Sequence, residues 1–205
     1  MKKFVGLVFV FCILSWMIVP AQGESYKQGL NYEDYIYSPC ELLPKDSQLK
    51  VKVGETAPDF ELSAISGGTI SLSQYIGKKN VVLSFVPGAW TNVCSKQWPS
   101  YNNNQTVFDE YDFILIGITV DNIPSLYAWA KAMGELWFPV LSDFWPHGKV
   151  ADMYGVLRSD GTAERSIIVI DKQGIIRYID IHNVNNLPNF SVLVGELQKI
   201  EEKRR

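Results

Sequence analysis

Apolar residues along this chain fall into short continuous blocks that alternate with segments of helical spacing. The blocks at 81–86 and 113–120 are apolar at nearly every position and rich in β-branched residues, which is typical of strands buried on both faces of a parallel or mixed sheet. The segment 124–133 carries apolar residues three and four positions apart and ends before Gly134, which predicts an amphipathic helix. Together these patterns indicate an α/β domain.

Hairpins are predicted near both ends of this domain. Residues 59–62 alternate like an edge strand, and the turn Gly67-Gly68 leads into a second strand at 69–72. The other predicted elements are a short helical turn at 71–75, a helix from about 94 towards 111 with a kink or break, a short strand at 138–141, a short helix at 147–154, a strand pair at 166–170 and 175–181, and a closing helix at 190–203. Strands and helices alternate in the first part of the domain, and a β-hairpin lies in its last part. This order predicts a mixed central sheet flanked by helices, as in a thioredoxin-like fold with an N-terminal hairpin extension.

The first 23 residues predict a secretory signal peptide. Lys2 and Lys3 form a positive n-region, 4–19 is an apolar h-region, and Ala-Gln-Gly at 21–23 is a small-x-small cleavage site. The apolar run is shorter than the roughly 20 residues that a spanning helix needs, which favours cleavage after Gly23 over a retained membrane anchor. We therefore expect a secreted or periplasmic protein with no stable membrane insertion after the signal peptide is removed.

Composition excludes several function classes. Residues 24–50 are rich in tyrosine without clear periodicity, which predicts an irregular N-terminal arm ahead of one globular domain at 51–205. The chain carries 19 Lys and Arg against 22 Asp and Glu, and its one basic run is at 203–205, so we expect no nucleic-acid partner. His147 and His182 lie far apart, and no Cys/His cluster has metal-ligand spacing, so we expect no metal and no other cofactor.

Cysteine usage narrows the candidate chemistry to two thiols. Cys12 lies inside the predicted signal peptide, which leaves Cys40 in the arm and Cys94 in the domain. An oxidising compartment would permit these two residues to pair. From the sequence, Cys40 is either a structural or idle thiol or a redox partner of Cys94.

Cys94 lies where a buried strand gives way to a helix. Pro87 ends the strand, and Thr91 or Asn92 can act as the N-cap of the helix that follows. Cys94 would then lie in the first turn, close to unpaired backbone N–H groups and the positive end of the helix dipole. This position favours the thiolate, which is the reactive form of cysteine.

Pro87, Thr91 and Cys94 fit the pattern P-x-x-x-T-x-x-C, which resembles the active-site motif of peroxiredoxins, the alkyl hydroperoxide reductase and thiol-specific antioxidant family. Three further features match in the same order: VGETAPDF at 53–60 resembles the family's G-x-x-A-P-D-F, PVLSD at 139–143 resembles its P-x-L-S-D, and Arg165 precedes the hairpin as the family's second arginine position does. The matches span about 51–181. Their shared order makes the resemblance far more specific than the cysteine motif alone.

The resemblance implies a role for each of these residues. Cys94 would be the peroxidatic nucleophile and would become a sulfenic acid. Thr91 would hydrogen-bond the thiolate or the peroxide, and Arg165 would supply a fixed positive charge that favours the thiolate and holds the developing oxyanion. Pro87 would shield the thiolate from water. Each side chain also has an ordinary interpretation, Thr91 as a helix cap and Arg165 as a charge on a strand surface.

The departures from the family pattern concern how the oxidised cysteine would be reduced again. Gln97 stands where many relatives carry a glutamate, and Pro99 occupies the position of a nearby resolving cysteine. No cysteine follows Cys94, so the chain resembles the single-cysteine, AhpE-like branch. Cys40 is the remaining internal candidate for a resolving cysteine. Otherwise an external thiol or thioredoxin-like reductant would be needed, and the resemblance also implies a homodimer.

Two other functions stay open at this point. A thioredoxin-like disulfide oxidoreductase of the cell envelope would share the fold, but it normally uses C-x-x-C. Here the positions three before and three after Cys94 are Thr91 and Gln97, so this motif is absent. A non-catalytic redoxin domain with a Cys40–Cys94 structural disulfide is the second alternative. Reduction of hydrogen peroxide or organic hydroperoxides is the leading hypothesis.

Overall fold

A seven-stranded mixed sheet runs through the computed structural model, which describes residues 31–202. The strands are β1 (Glu61–Ala64), β2 (Thr69–Ser71), β3 (Asn80–Phe85), β4 (Phe113–Thr119), β5 (Val140–Ser142), β6 (Ser166–Ile170) and β7 (Ile176–Ile181). The α-helices are α1 (Cys94–Asn102), α2 (Gln105–Glu110), α3 (Ile123–Ala132), α4 (Lys149–Tyr154) and α5 (Phe190–Glu202), with 3₁₀ helices at Tyr32–Tyr35 and Leu72–Gln74. The predicted signal peptide at 1–23 lies outside the described residues.

The strand order across the sheet is β2-β1-β5-β4-β3-β6-β7. Strand β3 is parallel to β4 and antiparallel to β6, and β4 is parallel to β5, so the prediction of a mixed sheet is confirmed. The prediction that 59–62 forms an edge strand is wrong. Strand β1 pairs with β2 on one side and with β5 on the other, because the N-terminal hairpin extends the sheet and leaves β2 at its edge.

Strand β3 is buried at every position and feeds two apolar clusters on opposite faces of the sheet. Alternate side chains of a strand point to opposite faces. Val81, Leu83 and Phe85 enter one cluster, the aliphatic core, which also contains Ile116, Ile118, Ile168, Ile170 and the buried side of α4. Val82 enters the other, the aromatic core, which contains Cys94, Trp98, Tyr101, Phe108 and Trp129. The candidate nucleophile therefore lies inside the aromatic core.

Trp98 is at the centre of the aromatic core and has no solvent exposure. Its ring centroid lies 4.8 Å from that of Trp129 and 6.0 Å from that of Phe138. Beneath it, β4 presents Gly117, where an added Cβ would lie 2.7 Å from the Trp98 ring. Such an approach is too close for any side chain, so Gly117 gives α1 the room to pack directly on the sheet.

The connection from α1 to β4 is broken as the sequence predicts. Helix α1 ends at Asn102 and α2 begins at Gln105, within a run of asparagines that are poor helix formers. The helix at 124–133 is also confirmed, and Asn122 caps it by accepting a hydrogen bond from the backbone N–H of Ser125 at 3.0 Å. Within residues 31–202, no helix has the length and apolar character needed to cross a membrane.

Candidate active site

Cys94 is the first residue of α1 and is completely buried. The prediction that Thr91 or Asn92 caps this helix is wrong, since the N-cap position is Val93 and no side chain caps it. Helical hydrogen bonding begins earlier, because the N–H of Ser95 donates to the carbonyl of Thr91 at 2.9 Å. Among the described residues, the N–H groups of Val93 and Cys94 have no carbonyl partner. They remain available as donors beside the thiol.

Arg165 contacts the sulfur of Cys94 with both terminal nitrogens of its guanidinium group. The Nη1–Sγ distance is 3.6 Å and the Nη2–Sγ distance is 3.5 Å. The pairing of Phe85 with Ser166 explains the approach, because it places the start of β6 beside the loop that follows β3. Arg165 is only 2% exposed, so its interpretation as a charge on a strand surface is wrong.

The guanidinium of Arg165 is fixed by neutral acceptors. Its Nε and Nη2 donate to the carbonyl of Val184 at 3.1 and 3.0 Å, and its Nη1 donates to Oε1 of Gln97 at 2.6 Å. Within residues 31–202, no carboxylate pairs with this arginine. A buried cation is costly unless an anion compensates it. A thiolate at Cys94 would supply that anion.

Gln97 continues the polar network into the aromatic core. Its amide Nε2 donates to the hydroxyl of Tyr101 at 3.1 Å and contacts Oγ of Ser84 at 3.4 Å, while the indole N–H of Trp98 donates to the same Oγ at 3.2 Å. Burial raises the pKa of Tyr101 far above its usual range, so its hydroxyl stays neutral. Of this network the sequence singled out only Gln97. Ser84, the single polar residue in an otherwise apolar block, was the available signal.

The loop from Pro87 to Val93 carries the rest of the motif. The hydroxyl of Thr91 donates to the carbonyl of Gly88 at 2.9 Å, so the predicted bond from this hydroxyl to the sulfur is not formed here. Trp90 has a φ of 61°, a left-handed backbone that is uncommon for a bulky residue. Asp121, which follows β4, accepts a hydrogen bond from the backbone N–H of Ala89 at 2.8 Å. This bond anchors the loop to the end of β4.

A cavity of about 540 Å³ opens beside this loop. Pro87, Thr91 and Arg165 all line it, so three of the four residues predicted for the site meet at one opening. Cys94 itself is not exposed to the cavity, although its neighbour Val93 is. The remaining lining residues are Tyr37, Pro39, Glu41, Leu42, Gly88, Asn92, Val120, Asp121, Asp160, Thr162, Val184 and Asn185.

Cys40 is exposed and lies between two residues of the cavity wall, Pro39 and Glu41. Both Cys40 and Cys94 are free thiols in the structure, so the alternative of a lasting disulfide between them is not formed. The arm residues 31–50 belong to the same compact unit as the domain. The arm thus brings Cys40 to the side of the molecule on which the active-site loop opens.

The two histidines make ordinary polar contacts. A ring nitrogen of His147, Nε2, lies 2.7 Å from the carbonyl of Gly161, and Nδ1 of His182 lies 3.4 Å from a carboxylate oxygen of Asp180. Among the residues that the structure describes, no group of three or more His, Cys, Asp or Glu side chains could hold a metal ion.

Comparisons with known proteins agree with this geometry. Residues 53–179 match the model of the AhpC/TSA family. Alkyl hydroperoxide reductase E of Mycobacterium tuberculosis is 39% identical over 132 residues, which cover 64% of this chain and 86% of that protein. The chloroplastic 2-cysteine peroxiredoxin of Chattonella marina var. antiqua is 33% identical over 162 residues, covering 75% of this chain and 82% of that one.

Solved structures give the same result for the fold. The reduced 2-Cys peroxiredoxin of Plasmodium vivax superposes with a TM-score of 0.71 at 28% identity, covering 75% of this chain and 84% of that one. AhpC of Mycobacterium tuberculosis superposes with a TM-score of 0.69 at 21% identity, which supports the fold alone. The thioredoxin-like fold predicted from the element order is therefore confirmed, and the chain belongs to the AhpC/TSA family, that of the peroxiredoxins.

Proposed function

We propose that the protein is a thiol peroxidase that reduces hydrogen peroxide or organic hydroperoxides with Cys94 as the nucleophile. The contact between Cys94 Sγ and both terminal nitrogens of Arg165 carries this proposal. The arginine is buried without a carboxylate partner in the described chain, so its charge is directed at the reacting sulfur. The names of the relatives, alkyl hydroperoxide reductase and peroxiredoxin, support the same reaction.

The first half of the cycle is a displacement on oxygen. The Cys94 thiolate attacks one peroxide oxygen, the S–O bond forms as the O–O bond breaks, and the leaving oxygen takes a proton to give water or an alcohol. Cys94 becomes a sulfenic acid. Arg165 and the free N–H groups of Val93 and Cys94 donate to the oxygens as negative charge moves onto the leaving group. Thr91 orients the peroxide through its hydroxyl, and Pro87 limits the access of water.

This half of the cycle is tested by mixing reduced protein with equimolar hydrogen peroxide. We expect a rapid change in tryptophan fluorescence, because Trp98 lies about one helical turn after Cys94 in the same core. We also expect one added oxygen on the peptide that contains Cys94. Cys94→Ser should show neither change, whereas Cys40→Ser should react at the wild-type rate. A Cys94→Ser protein that reacts as fast as the wild type would overturn the proposed function.

The second half of the cycle returns Cys94 to the thiol. We assign Cys40 as the resolving residue: its thiol attacks the sulfur of the sulfenic acid, a disulfide forms, and water leaves. A dithiol reductant of the thioredoxin type would then reduce the disulfide. The alternative is direct reduction by an external thiol. Because Cys40 is exposed and Cys94 is buried, disulfide formation requires the start of α1 to open.

The assignment of Cys40 is tested by peptide mapping after one equivalent of peroxide without reductant. We expect a Cys40–Cys94 disulfide in the wild type and a persistent sulfenic acid, trapped by dimedone, in Cys40→Ser. The disulfide should form at the same rate over a range of protein concentrations, as an intramolecular bond does. Sulfenic acid that accumulates equally in both proteins would assign the reduction of Cys94 to an external thiol.

The proposal also includes a secreted or periplasmic location, supported by the charged and apolar regions and the cleavage site at 1–23. In such a compartment thiols are readily oxidised. N-terminal sequencing of the protein recovered outside the inner membrane should begin at Glu24. Recovery of the chain in the cytoplasm with Met1 or Lys2 at its start would contradict the location without affecting the chemistry.

A further inference from the structure

The outer wall of the active-site cavity is built by a segment that lies outside the family match. The match begins at residue 53, whereas Tyr37, Pro39, Glu41 and Leu42 belong to the arm and line the cavity together with Arg165. The shape and charge of this opening are therefore partly a property of this chain rather than of the shared domain.

The arm is attached to the domain on both sides of the wall. On one side, the N–H of Tyr37 donates to the carbonyl of Trp90 at 2.7 Å, and the N–H of Asn92 donates to the carbonyl of Tyr37 at 3.1 Å. On the other side, the N–H of Leu42 donates to the side chain of Asn185 at 3.0 Å, and that side chain donates back to the Leu42 carbonyl at 2.8 Å. These anchors hold residues 38–41 at the cavity.

The wall combines apolar side chains with neutral polar groups and carboxylates. Apolar lining comes from Tyr37, Pro39, Leu42, Val93, Val120 and Val184. An organic hydroperoxide must direct its O–O group towards Arg165 and Cys94, so the rest of the molecule occupies the space that these side chains enclose. Removal of apolar surface from water favours an alkyl or aryl group in that space.

Three carboxylates line the same cavity: Glu41 from the arm, Asp121 from the end of β4, and Asp160 from the loop before β6. Asp121 accepts hydrogen bonds from Ala89 and Thr119, which neutralise no charge. Among residues 31–202, no lysine lines the cavity, and Arg165 is the one cationic lining residue. The charge that faces a bound substrate at the opening is therefore negative.

Asp160 has a cationic neighbour, Arg158, whose charge does not cancel the combined negative charge of Asp160 and Glu164. Nε of Arg158 lies 3.4 Å from Asp160, but Nη1 of the same arginine lies 2.8 Å from the buried Glu164, so two carboxylates share one guanidinium. Partial burial opposes ionisation of Asp160, but hydrogen bonds from Thr162 and the charge of Arg158 outweigh it and hold the pKa of Asp160 below its usual value. The carboxylate is ionised at neutral pH.

The guanidinium of Arg165 is directed at the reacting sulfur rather than at the tail of a substrate. A guanidinium has five N–H donors, and here they serve the carbonyl of Val184 through Nε and Nη2, Gln97 through Nη1, and Cys94 through both Nη atoms. These donors are therefore engaged at the reacting sulfur, where they can pass to the peroxide oxygens, and not at the far end of a hydroperoxide.

On the basis of the proposed peroxidase function, we propose that this cavity selects uncharged hydroperoxides with apolar groups over hydroperoxides that carry a carboxylate, and that Glu41 of the arm contributes to the selection. A carboxylate tail would leave water for an opening that holds three like charges. An ester of the same acid carries no charge and would avoid this repulsion.

The test compares 4-hydroperoxy-4-methylpentanoate with its methyl ester, two soluble tertiary hydroperoxides that differ in the charge of the tail. Rates of Cys94 oxidation are followed by tryptophan fluorescence at low and high salt. We expect the ester to react about tenfold faster at low salt, and the gap to narrow as salt screens the carboxylates. Equal rates for the two probes would overturn the selection. If neither probe reacts while hydrogen peroxide still oxidises Cys94, the selection is also overturned, and inertness to hydrogen peroxide as well would overturn the peroxidase function on which it rests.

Two arm variants identify the carboxylate responsible. Glu41→Gln should narrow the gap between the probes by raising the rate of the anionic probe relative to that of the ester. Glu33→Gln is the matched control, because Glu33 is an exposed arm carboxylate that does not line the cavity. An equal change in both variants, or no change in Glu41→Gln, would overturn the role of Glu41.

Discussion

The two faces of the central sheet bury different kinds of residue beneath the same strand. On one face, β3 contributes Val81, Leu83 and Phe85 to a core of mainly aliphatic side chains. On the other face, it carries Ser84, whose Oγ is contacted by Trp98 and Gln97. From there the polar network reaches Arg165 and Cys94. One face is packed for stability, whereas the other combines packing with the positioning of charge.

The polar residues on the face below α1 affect both the stability of the protein and the position of Arg165. Buried polar groups lower stability unless their hydrogen bonds are made, and the face below α1 buries a serine, an amide, a phenol and a guanidinium. The Gln97 amide contacts each of the other three groups, so the arginine has a fixed position at the sulfur. Substitutions on this face should therefore act on the reaction rate, and substitutions on the aliphatic face should act on folding.

Removal of the guanidinium should have the largest effect on the rate. In Arg165→Met the Cys94 sulfur loses both of its donors, and the loss of one preorganised charge in an active site typically lowers the rate by about 10²–10³-fold. The second-order rate constant with hydrogen peroxide, measured by stopped-flow fluorescence, checks this expectation. Arg177→Met is the matched control, because Arg177 is a partly exposed arginine that pairs with Asp171 away from the cavity. Similar rate constants in Arg165→Met and Arg177→Met would contradict the assignment of the reaction to the face that holds Arg165.

Substitution of Gln97 should have an intermediate effect. Gln97→Met preserves the length of the side chain but removes the acceptor for Nη1 of Arg165 and the donor to Tyr101. Loss of one such buried partner costs about 1–3 kcal/mol, which corresponds to a rate loss on the order of tenfold if the arginine is displaced from the sulfur. A lower melting temperature with an unchanged rate would show that Gln97 has only a structural role.

A substitution on the aliphatic face should leave the rate unchanged. Leu83→Ala removes a fully buried side chain from β3 and should lower the free energy of unfolding by about 2–5 kcal/mol. Urea unfolding measures this loss, and the peroxide rate is compared below the start of the unfolding transition. If Leu83→Ala lowers the rate as strongly as Gln97→Met, the two faces do not have separate tasks.

Much of the fold could be predicted from the sequence because it depends on local patterns. The apolar blocks fixed β3 and β4, and the asparagine run marked the break after α1. The prediction of an edge strand at 59–62 failed because alternation shows which side of a strand is buried and does not show what pairs with its edges. The helix cap failed for a similar reason, since the Thr91 hydroxyl bonds the carbonyl of Gly88 instead.

The candidate site could be predicted only in part. Cys94 is visible in the local motif, and Arg165 was found through the resemblance, because nothing in its own neighbourhood distinguishes it from a surface charge. The arm could not be placed at all. Its attachment depends on backbone hydrogen bonds such as that between Tyr37 and Trp90, which involve no characteristic side chain and join distant parts of the chain.

The central claim is that Cys94, held by Arg165 on the aromatic face, is the group that peroxide oxidises. The most direct measurement is single-turnover oxidation of Cys40→Ser by equimolar hydrogen peroxide, followed by stopped-flow fluorescence and by mass spectrometry of the product. We predict one added oxygen, located on Cys94, which appears with the same rate constant as the fluorescence change. Oxygen located elsewhere, or a fluorescence change that persists unaltered when Cys94→Ser is added to this variant, would contradict the claim.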